Sequence, residues 1–211
     1  MKFFAFDLDG TLFDSRSAIV GCFHHAMAKH GLAPVADEAI ASRIGLPLSQ
    51  MLTDLVDPEA MDSCLETYSR AFPDFDRKHS VEFPGVLDVV RACRAKGGKT
   101  AITSSKSLRG IERIVRERNL GDLFDALWGG DMVENGKPHP EMLLRAMAGI
   151  GAVPEATMIV GDTTYDVEMG VSAGATSVGV SWGMHGPERL VVAGADCVVH
   201  DAAALHTALL G

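Results

Sequence analysis

The chain reads as an α/β protein: a doubly wound parallel sheet into which an all-helical subdomain is inserted. Phe3 to Phe6 is a short unbroken apolar run, which suits a strand buried on both faces. From Gly85 onward, segments with helical and strand character alternate, as they do around a parallel sheet. Between these two parts, Ser15 to about Val81 carries helix and turn signals only.

Within that middle part, Ile19, Val20, Phe23, Met27 and His30 recur at helical spacing, and Gly31 supplies a C-terminal stop. A second helix is predicted over Asp37 to Arg43, and a third opens at Pro47, a favoured first position. A fourth begins at Pro58 and ends at about Ala71, with Met61, Leu65 and Tyr68 on one face. Hinges are expected near Ser15 and from His79 to Pro84. They divide the chain into a catalytic core (1–14 and 82–211) and a helical insert (15–81).

In the core, Val86 to Lys96 is amphipathic and ends at Gly97-Gly98, Lys99 to Thr103 is a strand, and Leu108 to Arg118 is a charged helix. Ala126 to Trp128 is a strand, Pro140 to Ile150 a helix, Thr157 to Val160 a strand and Thr164 to Ala173 a helix. Ala175 to Ser181 and Cys197 to His200 are further strands, with a closing helix to Leu210. In such sheets ligands bind beyond the carboxyl ends of the strands, so polar residues just after strands are the candidates for chemistry.

Composition narrows the function. Apolar residues make up 47% of the 211 and charged residues 22%, an ordinary globular profile. A formal net charge of −9 argues against a nucleic-acid binder and means that a phosphate site would need local cations. The four cysteines, Cys22, Cys64, Cys93 and Cys197, form no C-x-x-C pair and read as reduced thiols. The apolar run after Lys2 stops at Asp7, too soon for a signal-peptide core, and no stretch has the length of a membrane span. A cytoplasmic protein without membrane or nucleic-acid partners is expected.

Chemistry is concentrated at four places. Asp7 and Asp9 follow the first strand two positions apart, and in an extended chain they share a face at roughly 7 Å. Two carboxylates at that distance repel by roughly 2–3 kcal/mol at an effective dielectric near 20, so a cation is expected between them. Gly10 allows a sharp turn, and Thr11 offers a hydroxyl just beyond it. The strand from Lys99 ends in Ser104-Ser105-Lys106-Ser107, where hydroxyls and free N–H groups form an anion site. In Asn135-Gly136-Lys137-Pro138-His139-Pro140-Glu141, Pro138 keeps Lys137 out of the following helix and on a loop. Gly161-Asp162-Thr163-Thr164-Tyr165-Asp166 places one acid at a strand end and another four residues on, able to face one point.

The string Asp7-Leu8-Asp9-Gly10-Thr11-Leu12-Phe13-Asp14-Ser15, followed in order by Ser104, by G-K-P-x-P-E and by G-D-x-x-x-D, resembles the four motifs of the haloacid dehalogenase-like superfamily. The helical insert resembles the cap of its phosphoglycolate phosphatase and β-phosphoglucomutase branch. Ile44-Gly45-Leu46-Pro47-Leu48, Phe83-Pro84-Gly85-Val86 and Ser181-Trp182-Gly183 are similar to strings of that branch, the first and last to phosphoglycolate phosphatase.

The resemblance implies a Rossmann-like core and a magnesium-dependent phosphatase acting on a small, phosphoglycolate-like monoester. Asp7 would be the nucleophile, forming an aspartyl-phosphate, and Asp9 the general acid and base. Ser104 and Lys137 would offset phosphoryl charge, while Asp7, the Asp9 carbonyl, Asp162 and Asp166 would hold Mg2+. Thr11 and Ser105 are expected to bind substrate. Arg43 is the leading candidate for a cap contact to a substrate carboxylate, with Arg16, His24 and His25 as further candidates.

A dehalogenase is disfavoured because Asp9 is present. A mutase is disfavoured because Gly45 is followed by Leu46-Pro47-Leu48 and not by an arginine. A pyrophosphatase or nucleotidase of the same branch stays open. From another class, a receiver-type signalling domain also phosphorylates an Asp beside acids, a hydroxyl and a Lys, but carries no large helical insert. The partner expected is a small phosphorylated metabolite, and the chain a monomer or homodimer.

Overall fold

The structure, a computed structural model, describes residues 1–53 and 55–211. The chain runs β1 (Phe3–Phe6), β2 (Phe13–Asp14), α1 (Arg16–Lys29), α2 (Asp37–Ala41), α3 (Leu48–Leu52), α4 (Pro58–His79) and β3 (Val81–Glu82). It continues through α5 (Val86–Ala95), β4 (Lys99–Ser104), α6 (Leu108–Glu117), β5 (Ala126–Gly129), α7 (Glu141–Ile150) and β6 (Thr157–Gly161). It ends with α8 (Thr164–Ser172), β7 (Thr176–Val180), α9 (Pro187–Val192), β8 (Cys197–Val199) and α10 (Ala202–Leu210).

Six strands form one parallel sheet in the order β5-β4-β1-β6-β7-β8. β1 is central, and all four of its residues are buried. Successive side chains point to opposite faces, and the apolar clusters follow that alternation. Phe4 and Phe6 pack with Val90, Ile111 and Leu205 on one face, whereas Phe3 and Ala5 pack with Met142, Leu143 and Met169 on the other. Both faces are covered by helices, which is why β1 reads as an unbroken apolar run.

Register brings the strand ends together. Phe6 is level with Ile102 of β4 and Val160 of β6, so Asp7, Ser104 and Asp162 all emerge at one edge of the sheet. The chain passes to β4 on one side of β1 and later to β6 on the other, and the crevice at such a switch point is where ligands sit.

Helices α1 to α4 build a third apolar cluster of their own, with Phe23, Met27, Ile40, Leu52 and Tyr68 among its members. The chain leaves for this layer and returns from it through a two-stranded antiparallel ribbon, Phe13 opposite Glu82 and Asp14 opposite Val81. Strands this short leave no alternating pattern in the sequence, and neither was expected there; nor was α9, a helix of six residues.

The main correction concerns α4, which runs past Ala71 and through Pro73 to His79. Proline inside a helix removes one hydrogen bond and crowds a carbonyl, at a cost of about 3 kcal/mol. Here the turn beyond Pro73 is held by tertiary contacts. Asp76 is buried against Arg113 of α6 at 3.0 Å, and the Phe75 ring lies 5.6 Å from that of His25. No described helix is long and apolar enough to cross a membrane.

Candidate active site

The loop after β1 carries the centre of the site. Asp7 is anchored through its backbone, its N–H donating to the Val160 carbonyl at 2.9 Å, and its side chain is buried. Lys137 Nζ lies 2.6 Å from Asp7 Oδ1 and 2.5 Å from Asp166 Oδ1, an ammonium bridging two buried carboxylates. The loop bearing Lys137 is tied down by Glu141, whose carboxylate accepts from the Glu134 and Asn135 N–H groups at 3.2 and 3.0 Å. The glutamate of the G-K-P-x-P-E string therefore anchors the start of the loop that carries the lysine.

The two acids after β6 are held differently. Asp166 Oδ2 accepts from the Thr163 hydroxyl (2.6 Å) and the Thr163 N–H (3.1 Å), a reciprocal cap at the start of α8. Asp162 accepts from the Thr11 hydroxyl (2.8 Å) and the Met184 N–H (2.8 Å) and pairs with no cation among the described residues. Glycines make room for it. A Cβ on Gly10, whose φ is +87°, would lie 2.1 Å from Asp162 Oδ2, and one on Gly183 would lie 2.2 Å from it. The Ser181-Trp182-Gly183 string is thus the back of the Asp162 cradle, and Trp182 Nε1 donates to the Thr11 carbonyl at 3.1 Å.

Asp7, Asp162 and Asp166 each present a carboxylate oxygen, all within 4.8 Å of one another. Three buried acids face one lysine, so the site is short of positive charge. Burial, reinforced by Asp166 and opposed by Lys137, pushes the Asp7 carboxyl up to about 7. Burial together with Asp7 and Asp166 raises Asp162 well above the usual carboxylate range. The two carboxylates raise Lys137, against burial, so it stays charged. An all-oxygen, anionic donor set of this kind fits a hard divalent cation.

Asp9 lies apart from this cluster. Its carboxylate takes the Ser15 hydroxyl on one oxygen and Lys106 Nζ, at 2.8 Å, on the other. Lys106 also sits over the Phe72 ring of α4, 4.0 Å from its centroid. This lysine was assigned no role in the sequence, although its position directly after Ser104-Ser105, beyond a strand end, was the signal that could have found it. Ser104 is buried, its hydroxyl accepting from the Lys106 N–H at 3.3 Å.

A cavity of about 250 Å³ opens from Asp7 and Asp9 and is lined by Ser104, Ser105 and Lys106 on one side and by α1, α3 and α4 on the other. Several of the residues expected to bind substrate have partners within the chain. The Thr11 hydroxyl is fully buried and donates to Asp162, because a buried hydroxyl needs a partner; it orients an acid and does not face the cavity. Ser105 lines the cavity, but its hydroxyl donates to the Gly45 carbonyl at 2.5 Å, joining the core to the helical layer. Arg43 does not line the cavity: from the turn after α2 it donates back to the Ala39 carbonyl of that helix at 3.1 Å. Arg16 and His24 pair with Glu38 and Asp37, and His25 packs on Phe75, all outside the lining. His185 is a further residue the sequence did not mark. Its Nδ1 accepts from the Thr164 N–H at 2.9 Å, which fixes the loop between the two acids.

Comparison with known proteins shows what the chain is similar to. The model of the haloacid dehalogenase-like hydrolase family matches residues 4–180. "Probable phosphatase IndB" of Dickeya dadantii is 35% identical over 200 residues, covering 92% of this chain and 87% of that protein. "Pyrophosphatase PpaX" of Anoxybacillus flavithermus is 34% identical over 186 residues, covering 88% and 86%. The crystal structure of a hydrolase from Pseudomonas syringae superposes with a TM-score of 0.88 at 26% identity, covering 99% of this chain and 98% of that one. With its acids, serine and lysine converging at the carboxyl edge of the parallel sheet, and with that match across most of its length, the chain belongs to the haloacid dehalogenase-like hydrolase family.

Proposed function

We propose that the protein is a magnesium-dependent phosphatase that hydrolyses a small phosphate monoester through an aspartyl-phosphate. The observation that carries this reading is Asp7, buried at the end of the central strand, bridged by Lys137 to Asp166 and facing Asp162. Asp7, Asp162 and Asp166 would hold the ion, which supplies positive charge for the phosphoryl oxygens and keeps these acids ionised.

The chain's own residues do the rest. Asp7 attacks phosphorus, the ester bond breaks, and the phosphoryl group rests on the Asp7 carboxylate until water displaces it. Lys137 and Ser104 offset the phosphoryl charge, the main electrostatic task in such transfers. Asp9 passes a proton to the leaving alcohol and then takes one from the attacking water. Its carboxylate lines the same cavity as Asp7, where an ester oxygen would lie.

Rapid-quench trapping with a 32P-labelled monoester tests the reading. The wild type should show an acid-stable phosphoprotein that turns over, and Asp7→Asn should show neither label nor turnover. A label that forms stoichiometrically and persists would favour a phospho-acceptor switch instead. Chelator should abolish hydrolysis and Mg2+ restore it; full activity in chelator would remove the metal assignment. Inorganic pyrophosphate is a second reading, favoured by the 34% identity to the Anoxybacillus flavithermus pyrophosphatase.

A further inference from the structure

We infer that the leaving group of the natural substrate is a neutral, apolar-bodied alcohol and not a carboxylate or a second phosphate. This rests on the phosphatase reading above and concerns only the half of the cavity that receives the alcohol.

That half is built by the helical layer. Ile19, Ile44, Leu48, Met51, Tyr68 and Phe72 line it, and the side-chain oxygens of the helical layer there are the hydroxyls of Tyr68 and of exposed Ser69. Two cations lie on the facing core wall, and each has an acid beside it. Lys106 holds Asp9 at 2.8 Å and the Phe72 ring at 4.0 Å. Arg113 holds Asp76 at 3.0 Å and Glu117 at 2.8 Å. Among the described residues, no cation lining the cavity lacks a carboxylate partner, and the cationic side chains of the helical layer that the sequence suggested for substrate lie outside it.

The consequence follows from desolvation. A carboxylate or phosphate drawn against these walls loses its water and gains no counter-charge from the helical layer, and drawing Arg113 to it would strip that arginine from buried Asp76. An apolar body loses nothing of that kind, and each methylene buried in a fitted pocket is worth roughly tenfold or more in kcat/KM. At about 250 Å³ the cavity falls just below the roughly 300–1,000 Å³ of sites for drug-sized ligands, so the substrate is small as well.

The test compares benzyl phosphate and 3-methylbutyl phosphate with 2-phosphoglycolate and inorganic pyrophosphate, using the full chain with saturating Mg2+. We expect kcat/KM for the apolar esters to exceed both anionic substrates by at least about 100-fold. Leu48→Arg, at a partly exposed wall position, should shift that ratio toward 2-phosphoglycolate by at least tenfold. If this variant does not fold, as read by circular dichroism, Met51→Ala should lower kcat/KM for the apolar esters by about tenfold relative to that for pyrophosphate. Equal or faster turnover of 2-phosphoglycolate or pyrophosphate overturns the inference while leaving the phosphatase reading intact. An unchanged substrate ratio in a folded wall variant also overturns it. Absence of hydrolysis on all four substrates and on p-nitrophenyl phosphate overturns the phosphatase reading, and the substrate class with it.

Discussion

Asp7 and Asp9 are two positions apart and live in different surroundings. Asp7 belongs to a buried cluster with Lys137, Asp162 and Asp166, while Asp9 meets Ser15 and Lys106 at the cavity wall. Asp9→Asn should therefore slow alkyl phosphates far more than p-nitrophenyl phosphate, whose leaving group needs little protonation. Equal losses on both, measured as kcat, would argue against Asp9 as the general acid. The glycines around Asp162 invite a second test. Gly183→Ala would push a Cβ to 2.2 Å from Asp162 Oδ2, so the acid or the loop must shift. We expect the Mg2+ concentration for half-maximal activity to rise at least tenfold, with the far-ultraviolet circular dichroism unchanged. An unaltered Mg2+ requirement would mean that Asp162 has no part in binding the ion.

Helices α4 and α6 are joined where they cross. Asp76, at the end of α4 beyond Pro73, receives Arg113 at 3.0 Å with Arg118 at 3.7 Å, while Arg77 reaches Glu117 at 3.3 Å. Arg118 also donates to the carbonyl of Ser80, between α4 and β3, and lies over the Phe13 ring of β2, 4.4 Å from its centroid, which ties this junction to the connecting ribbon. Exposed pairs such as Arg77–Glu117 contribute little, but Asp76 is 4% exposed and Arg113 is 14% exposed. Removing the buried acid takes a carboxylate from two arginines, leaving Arg113 with Glu117 and Arg118 with the Ser80 carbonyl. Asp76→Ala should thus cost about 2–4 kcal/mol in urea unfolding, and more than Arg77→Ala. A loss below that of Arg77→Ala would show that the junction is held by apolar packing alone. The same lattice of charges explains why α4 continues through Pro73: tertiary pairing outweighs the local cost of the proline.

The site also sets how the folded protein responds to pH. Burial raises Asp7 to about 7 from an ordinary value of 3.8, and Asp162 shifts in the same direction. Below the ordinary value both folded and unfolded chains are protonated. Between that value and about 7 the folded chain binds more protons, so metal-free stability falls as pH rises. In chelator, Tm should decline from about pH 4 to pH 7 once the background from surface acids is taken from an Asp7→Asn, Asp162→Asn control. Because the ion needs these carboxylates ionised, the gain in Tm on adding Mg2+ should be larger at pH 8 than at pH 5. A gain independent of pH would contradict a carboxylate site centred on Asp7.

The order and type of the main elements were legible along the chain because they rest on local physics. An unbroken apolar run marks a doubly buried strand, helical spacing marks α1 and α5 to α8, and a polar residue directly after a strand marks the ligand edge. Asp7, Ser104 and Asp162 could be singled out for that reason and Lys137 and Asp166 from the strings that resemble the family's motifs, and the structure brings them to one edge of the sheet. The roles of side chains around them were not legible, since each depends on a partner far away in sequence. Thr11 turns to Asp162, 151 positions on; Ser105 turns to Gly45, and Arg113 to Asp76. Nothing near Arg43 or Lys106 says which of them meets the cavity. That is decided by the packing of the helical layer on the core, where burial leaves each charge only the partners that three-dimensional proximity supplies.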